Sequence, residues 1–250
     1  MHATEFRPQS FPAPPLGPGE IHIWSFSLAP DPSRVAALRP LLDHEEIARV
    51  ERYRFDHLKR RGVVRRGRLR QVVGAYAGIE PKDVRFDYGE KGKPLLAADQ
   101  QGEEILHFNL SDSEDLAVYA VTRGCEIGVD VEMLRPMPDA DSIAVSFFAA
   151  AERDVLAGVG EGEKSQAFFN CWTRKEAYIK AIGEGLSEPL DNFCVTLWPT
   201  EPCHFLHIGQ SEEEASAWKL EHFIPAPDAV GALALRSLDY RVTGWFLGMD

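Results

Sequence analysis

The segment Ile127–Glu132 constrains the fold of this chain most, because apolar side chains alternate strictly with glycine and acidic ones. A period of two is typical of a strand that buries one face. The alternation places Asp130 and Glu132 on the same face, roughly 6.5 Å apart along the strand. Two carboxylates this close repel each other unless a cation lies between them, and a small set of hard oxygen ligands suits Mg²⁺. The pattern alone fits either an exposed strand face with two solvated acids or a cation site.

A second segment, about forty residues downstream, has the periodicity of a helix. Its apolar positions are Phe168, Phe169, Trp172 and Ile179. Gly183 predicts where the helix ends. Trp172, Glu176 and Lys180 recur every four residues and therefore share one face. Glu176 and Lys180 could form an ordinary exposed pair, but the adjacent Lys175 and the flanking aromatic favour a third metal carboxylate with a lysine placed for a phosphate.

Residues 49–70 form a strongly basic segment, with ten Arg or Lys against two acids in a chain whose net charge is −12. Apolar side chains near helical spacing predict that a helix carries this basic face; they are Leu58, Leu69, Val72, Val73 and Tyr76. The face could bind nucleic acid, dock an acidic protein or hold a phosphorylated cofactor, and any one arginine could simply be solvated. The acidic remainder would oppose a long polyanion. A compact polyphosphate needs only a local cluster of Arg or Lys.

The composition of the 250-residue chain sets broader limits. This length allows one or two domains. The four cysteines show neither metal-site spacing nor a disulfide framework, which is typical of a reducing compartment. No signal peptide or bilayer-spanning apolar stretch is evident, so we expect a cytoplasmic protein without a membrane partner. The acidic charge balance argues against a nucleic-acid partner. Proline-rich residues 1–20 predict a loosely ordered arm, with ordered structure from about Ile21.

The two segments together resemble the signature of 4′-phosphopantetheinyl transferases of the surfactin-synthetase type. That family carries Gly-[Val/Ile]-Asp-[Val/Ile]-Glu and, some forty residues later, Trp-[Ser/Thr]-x-Lys-Glu-[Ala/Ser]-x-x-Lys-x-x-Gly-x-Gly-Leu. The matching positions are Asp130, Glu132, Trp172, Thr173, Lys175, Glu176, Lys180, Gly183, Gly185 and Leu186. Further similarity lies in Gly92–Pro94, Phe108–Ser111, Phe147–Glu152 and Ser187–Val195.

The resemblance implies both a fold and an activity. The expected fold is α+β, with two similar halves (residues 21–125 and 126–250) packed about a pseudo-twofold axis, although no internal repeat is visible in the sequence. The expected enzyme is a monomer that transfers the 4′-phosphopantetheine group of coenzyme A to a serine of an apo acyl or peptidyl carrier protein. The reaction would depend on Mg²⁺ and release 3′,5′-ADP.

The resemblance also assigns roles to particular residues. Asp130, Glu132 and Glu176 would hold Mg²⁺. Glu176 and Lys180 would be catalytic, with Glu176 taking the serine proton. The positions expected to contact coenzyme A are Arg49, Arg61, Lys93, Ser111, Asp112, Lys175 and Lys180. For Lys175, the sequence leaves open whether it orders Glu176 or meets a phosphate.

One position departs from the family pattern. The family has Ser-His-Ser where this chain has Ser111, Asp112 and Ser113. An aspartate would repel the phosphate that the histidine touches. The loop could therefore point elsewhere, neighbouring arginines could compensate, or cofactor binding could be weak. The alternatives to the transferase are a degenerate, non-catalytic coenzyme A-binding relative and a nucleic-acid-binding protein; the retained acids and Lys180 favour the enzyme.

Overall fold

The computed structural model describes residues 4–183, 189–209, 211–237 and 239–247. Gly185, Leu186 and the first two residues of Ser187–Val195 lie outside these ranges. No helix within them is long and apolar enough to cross a membrane. The α-helices are α1 (Pro32–Leu38), α2 (His44–Glu51), α3 (Asp56–Ala77), α4 (Ala140–Phe147), α5 (Ala150–Gly158), α6 (Glu161–Ile182) and α7 (Glu212–Ser216). The strands are β1 (Phe6–Gln9), β2 (Glu20–Ser27), β3 (Phe86–Tyr88), β4 (Pro94–Leu96), β5 (Leu106–Ser113), β6 (Leu116–Arg123), β7 (Ile127–Met133), β8 (Phe193–Val195), β9 (Phe205–Ile208), β10 (Lys219–Phe223), β11 (Ala229–Leu235) and β12 (Arg241–Leu247).

The first half packs three helices and the β3–β4 hairpin with one sheet. β2 pairs antiparallel with β6, and β6 pairs antiparallel with β5. Leu69, Val72 and Val73 of α3 are buried in a core that includes Trp24 of β2. The helix predicted in the basic segment is therefore confirmed. It ends at Gly78, whose φ of 70° lies in the left-handed region that favours glycine.

The second half repeats this order of elements. After β7 come α4, α5 and α6, then the β8–β9 hairpin and the strands β10 and β11. β7 pairs antiparallel with β11, and β11 with β10, just as β2 pairs with β6 and β6 with β5. The long helices α3 and α6 both have 22 residues. The expected α+β fold of two similar halves is confirmed.

A buried apolar cluster joins the two halves. Ile21 and Ile23 of β2 lie in one cluster with Ile127, Val129 and Val131 of β7. Each such side chain contributes roughly 1.5–3 kcal/mol on full burial. The strand predicted from alternation is confirmed, with its apolar face in this core.

The two ends of the chain meet at the first sheet. β1 runs parallel to β12, and β12 runs parallel to β2. Phe11 also stacks on Trp24, with ring centroids 5.6 Å apart. The expectation of a loosely ordered arm therefore does not hold for Phe6–Gln9, because strand pairing gives this segment partners for its backbone groups. β12, assigned by sequence to the second half, extends the sheet of the first.

Candidate active site at the seam between the halves

The candidate site lies where β5 of the first half runs beside β7 of the second, and we call this contact the seam. The two strands belong to different sheets. On the other side, α6 packs directly on β7 because Gly128 has no side chain; a Cβ there would overlap the backbone of Ala177 and Ala181. This close approach brings Glu176 and Lys180 of α6 to the acidic face of β7.

Asp130 is the most enclosed of the predicted metal carboxylates, with a relative exposure of 5%. Its Oδ1 accepts hydrogen bonds from Ser111 Oγ at 2.7 Å and from Lys180 Nζ at 2.6 Å. Its Oδ2 is buried and has no hydrogen-bond partner among the described residues. Burial raises the pKa of Asp130, although the Lys180 charge opposes this effect. One oxygen of the carboxylate thus accepts two hydrogen bonds, while the other is buried without one and is available to a ligand.

Glu132 lies two residues further along the same strand face. Its Oε2 accepts hydrogen bonds from Ser113 Oγ at 2.6 Å and from Arg135 Nη1 at 3.1 Å. Met133 N donates to the same serine hydroxyl at 3.1 Å. Side chains of the first half therefore reach both acids of β7.

Glu176 completes the set of three carboxylates. Burial raises its pKa, and the neighbouring charges of Asp130 and Glu132 raise it further, whereas the Lys180 charge lowers it. The three acids are therefore within electrostatic reach of one another, as the sequence predicts. Lys180 lies among them, bonded to both Ser111 and Asp130.

The donor set suits a hard divalent cation, although within the described ranges no three His, Cys, Asp or Glu side chains are already gathered as a metal site. All three candidate ligands offer carboxylate oxygens, which Mg²⁺ prefers. Burial raises the Glu176 pKa, and repulsion by the other carboxylates adds to this effect. A bound cation would relieve that repulsion and would give the buried Asp130 Oδ2 a partner. The residues present fit Mg²⁺.

Lys93 enters the site from the loop between β3 and β4. Its Nζ donates to Glu126 Oε2 at 2.7 Å and to the carbonyls of Ile127 and Lys180 at 3.3 and 3.2 Å. Hydrogen bonds from His107 and from Lys93 lower the pKa of Glu126 to about 2. Lys93 and Lys180 both line a cavity of about 230 Å³ that spans the two halves. The structure therefore brings together these two predicted phosphate contacts.

Asp112 points away from the carboxylates, toward α3. Its Oδ1 accepts a hydrogen bond from Arg65 Nη1 at 3.1 Å, and Arg65 Nη2 donates to Tyr53 Oη at 3.2 Å. Burial lowers the pKa of Arg65, but the charge and the hydrogen bond of Asp112, with smaller contributions from Tyr53 and Tyr119, together outweigh it, and the net shift is upward. Asp112, Arg65 and Arg61 line a cavity of about 160 Å³. Asp112 thus points away from the carboxylates and is paired with a neighbouring arginine, which agrees with two of the three explanations; sequence reasoning missed Arg65.

The two arginines aligned by sequence occupy different surroundings. Arg61 lines the same cavity as Asp112, and its Nε lies 3.4 Å from Asp115 Oδ1. Arg49 is exposed, and its guanidinium lies 5.6 Å from the ring centre of Tyr88. The structure thus joins Arg61, but not Arg49, to Asp112 in one cavity.

Two side chains predicted to contact coenzyme A form hydrogen bonds with other residues of the chain. Lys175 is fully buried, 2.8 Å from Glu152, and its Nζ donates to the carbonyls of Leu190 and Phe193 at 2.7 Å each. The structure therefore does not support Lys175 as a phosphate ligand; it lies about 100° around the helix from Glu176 and points into the core. Ser111, also predicted to touch coenzyme A, hydrogen-bonds Asp130 and Lys180, and its contact with coenzyme A stays a prediction.

The basic segment is partly neutralised within the chain. Acidic side chains pair with several of its cations: Glu51 with Lys59, Asp115 with Arg61, Asp112 with Arg65, and Asp43 and Glu46 with Arg70. These pairs lower the charge that the α3 face offers to a long polyanion.

Trp172, the first residue of the α6 motif, packs against Phe168 and Phe147.

Comparison with known proteins identifies the family to which this chain belongs. The sequence model of the 4′-phosphopantetheinyl transferase superfamily matches residues 126–234. A second model, described as the N-terminal part of 4′-phosphopantetheinyl transferase, matches residues 27–123.

Two curated relatives extend the match. The 4′-phosphopantetheinyl transferase HetI of Nostoc sp. is 38% identical over 237 residues, covering 94% of this chain and 96% of that protein. The 4′-phosphopantetheinyl transferase Sfp of Bacillus subtilis is 33% identical over 129 residues, covering 52% of this chain and 54% of that protein. This chain therefore belongs to the 4′-phosphopantetheinyl transferase superfamily.

Among solved structures, the holo-[acyl-carrier-protein] synthase of Thermotoga maritima is similar over 46% of this chain and 64% of its own. The sequence identity is 16% and the TM-score 0.34, a likeness too weak to bear on the site.

Proposed function

We propose that this protein transfers the 4′-phosphopantetheine group of coenzyme A to a serine of an acyl or peptidyl carrier protein, in a Mg²⁺-dependent reaction that releases 3′,5′-ADP. The observation that carries the proposal is the seam, where Lys180 holds one oxygen of Asp130 and the other oxygen is buried without a partner among the described residues. Membership of the transferase superfamily supports the reaction class.

Asp130, Glu132 and Glu176 would hold the metal. When bound, Mg²⁺ would neutralise charge on the diphosphate of coenzyme A and on the departing 3′,5′-ADP. Lys180 and Lys93, which line the same cavity, would bind diphosphate oxygens by charge-assisted hydrogen bonds. The chain's own contribution to binding is therefore a set of cations fixed on both sides of the seam.

Phosphate binding on the first half would rely on arginines. Arg61 and Arg65 line the cavity beside Asp112, and their guanidinium groups suit a phosphate monoester such as the 3′-phosphate of coenzyme A. Asp112 would act through Arg65, which it holds in place, rather than by touching the phosphate. Arg49 would add charge from the exposed side of α2.

Glu176 is the proposed acceptor of the carrier serine proton. Glu176 lies on α6 within electrostatic reach of Asp130 and Lys180, and an ionised carboxylate in this place can accept the proton as the serine approaches. The serine oxygen can then attack the phosphorus on the pantetheine side of the diphosphate. Because residues from both halves of one chain build this site, we propose that the enzyme is a monomer. We also propose that it is of the surfactin-synthetase type.

We propose that the enzyme acts in the cytoplasm without nucleic acid or membrane. All four cysteines are free thiols, which suits a reducing compartment. The carrier protein that it modifies would have an acidic docking face, in line with one of the three interpretations of the basic segment.

The direct test incubates the protein with coenzyme A, Mg²⁺ and a panel of apo carrier proteins, followed by intact-mass measurement. A carrier that gains the mass of one phosphopantetheine group, only when Mg²⁺ is present, supports the proposal. Binding of coenzyme A without modification of any carrier would instead support a non-catalytic relative.

A further inference from the structure

Three polar side chains of β5 cross the seam. Asn109, Ser111 and Ser113 alternate along the strand and so share one face. The Asn109 side-chain oxygen accepts a backbone N–H of β7 at 2.9 Å. Ser111 donates to Asp130 at 2.7 Å, and Ser113 donates to Glu132 at 2.6 Å. The first half thus touches each acid of β7 through one serine.

The direction of both serine hydroxyl groups is fixed by their second partners. Ser111 Oγ accepts a hydrogen bond from Lys180 Nζ at 3.0 Å, and Ser113 Oγ accepts one from Met133 N at 3.1 Å. A hydroxyl has a single proton to donate. Each proton therefore goes to the carboxylate.

Both carboxylates are held in the same way. Asp130 receives Ser111 and Lys180 on Oδ1, and Glu132 receives Ser113 and Arg135 on Oε2. Each acid thus has one oxygen bound by a serine and a cation. For Asp130, the opposite oxygen is the buried atom without a partner among the described residues.

We propose that Ser111 and Ser113 are positioning residues that fix one oxygen of each carboxylate and thereby present the other oxygen to the divalent cation. Hydrogen-bond partners of metal ligands orient the ligands and tune their affinity. The inference rests on the proposed function, which supplies the cation. It gives the first half a role in a metal site whose ligands all lie in the second half.

The test measures Mn²⁺ binding to the whole protein, with coenzyme A present, from loss of the spectroscopic signal of free Mn²⁺. Ser111→Ala and Ser113→Ala should each raise the dissociation constant about 10–100-fold. Ser111→Thr and Ser113→Thr keep a hydroxyl on a strand that tolerates Thr, and they should restore tight binding. Ser25→Ala is the control, since Ser25 is a buried strand serine that bonds the carbonyl of Pro225.

A purely structural role for the serines would give a different result. It would lower the melting temperature of the alanine variants while leaving Mn²⁺ affinity as in the parent, and that result overturns the inference. If the parent protein modifies a carrier and binds Mn²⁺ but both alanine variants bind it equally well, the inference alone fails. If the parent neither binds Mn²⁺ nor modifies any carrier, the proposed function fails and takes the inference with it.

Discussion

The long helices of the two halves carry the same structural support built from different residues. In α3 and α6 the fifteenth residue is a buried cation, Arg70 and Lys175 respectively. Arg70 Nε donates to Glu46 Oε2 at 2.7 Å, and Lys175 Nζ lies 2.8 Å from Glu152 Oε2. Each of these glutamates is the third residue of the helix just before, α2 or α5. We call these two ion pairs the helix clamps.

Each clamp also fixes the segment that follows its helix. Arg70 Nη1 donates to the carbonyl of Val84 at 2.7 Å, as Lys175 does to those of Leu190 and Phe193. A buried charge is tolerated only when it is paired and hydrogen-bonded. The clamps therefore serve to hold the fold, one in each half.

The halves differ at the positions beside the clamps. The residue after the buried cation is Gln71 in α3 and Glu176 in α6, and the residue four further on is Ala75 or Lys180. The ion pair is repeated in both halves, but the two ionisable groups that the proposed reaction uses on α6 have no ionisable counterpart at the equivalent positions of α3.

The first strands of the two repeats, β2 and β7, show the same difference. On β2, Trp24 and Phe26 are buried in the apolar core of the first half. On β7, Asp130 and Glu132 face the seam instead. In the proposed function the metal carboxylates therefore lie on one half, whereas the other half has apolar side chains on the equivalent strand and supplies cations and serines across the seam.

The largest expected effect tests whether chemistry belongs to the second half. Glu176→Gln should slow carrier modification about 10²–10⁴-fold, because the proposed proton acceptor is lost. The matched control is Gln71→Glu, at the equivalent position of α3, which should leave the rate unchanged. Intact-mass time courses measure both, with thermal melts to confirm folding. A normal rate for Glu176→Gln, or an equal loss for Gln71→Glu, would remove the distinction.

The helix clamps should be equivalent in stability. Lys175→Met and Arg70→Met each leave a buried carboxylate unpaired and should lower the free energy of unfolding by about 3–5 kcal/mol. Lys175→Met combined with Glu152→Gln should recover part of the loss, since no unpaired charge remains and the amide oxygen can still accept one of the backbone N–H groups of Ala149 and Val195 that bond Glu152. Urea unfolding measures these changes. Under conditions where Lys175→Met is folded, its KM for coenzyme A should equal that of the parent; a raised KM would return Lys175 to phosphate binding.

Each half has a histidine whose pKa burial lowers, the buried His22 and the partly buried His222, and these should respond differently to acid. Burial lowers the pKa of His222 to about 4, and the Arg174 charge lowers it further. Burial also lowers the pKa of His22, but the Glu20 charge opposes this effect. The unfolded chain therefore binds more protons than the folded one between about pH 6.5 and 4, and stability should fall as pH falls through that window. At pH 5 the loss due to His222 should be about 2 kcal/mol.

His222→Gln should flatten the dependence of the free energy of unfolding on pH more than His22→Gln does. Urea unfolding at several pH values between about 7 and 4 measures the slopes. Equal slopes for the parent and His222→Gln would contradict the account.

The smallest effect concerns the cations of the first half. Arg65→Ala should raise the dissociation constant of coenzyme A about tenfold, the amount expected for one charged hydrogen bond. Asp112→Asn should have a weaker effect in the same direction, because Arg65 is then less firmly held. Titration calorimetry with coenzyme A and with its 3′-dephospho analogue measures both, and Arg39→Ala is the control, an exposed arginine paired with Glu51. Equal affinities for Arg65→Ala and the parent would place the phosphate elsewhere.

The sequence predicted β7 and α6 well because their periodicities are local. Alternation in Ile127–Glu132 and four-residue spacing from Trp172 to Lys180 depend on backbone geometry alone. Family motifs then identified Asp130, Glu132 and Glu176 as neighbours. The internal repeat stayed hidden because the two halves share backbone geometry while their equivalent residues differ in chemistry.

Long-range contacts account for what the sequence did not reveal. Lys175 is part of the family motif, yet the direction of its side chain depends on Glu152 in another helix. Arg65 is one of many arginines in its segment, and only the folded chain shows that it meets Asp112. Ser113 could have been found, since Asn109, Ser111 and Ser113 alternate like a strand face, but the strand that they face is set by tertiary structure.

The most direct measurement is a crystal structure of the protein with coenzyme A and Mn²⁺, in which anomalous scattering locates the metal. The account predicts one metal bound by Asp130, Glu132 and Glu176 beside the diphosphate, with Lys180 on the phosphate oxygens. A metal held by other residues, or coenzyme A bound away from the seam, would contradict the assignment of the chemistry to the second half.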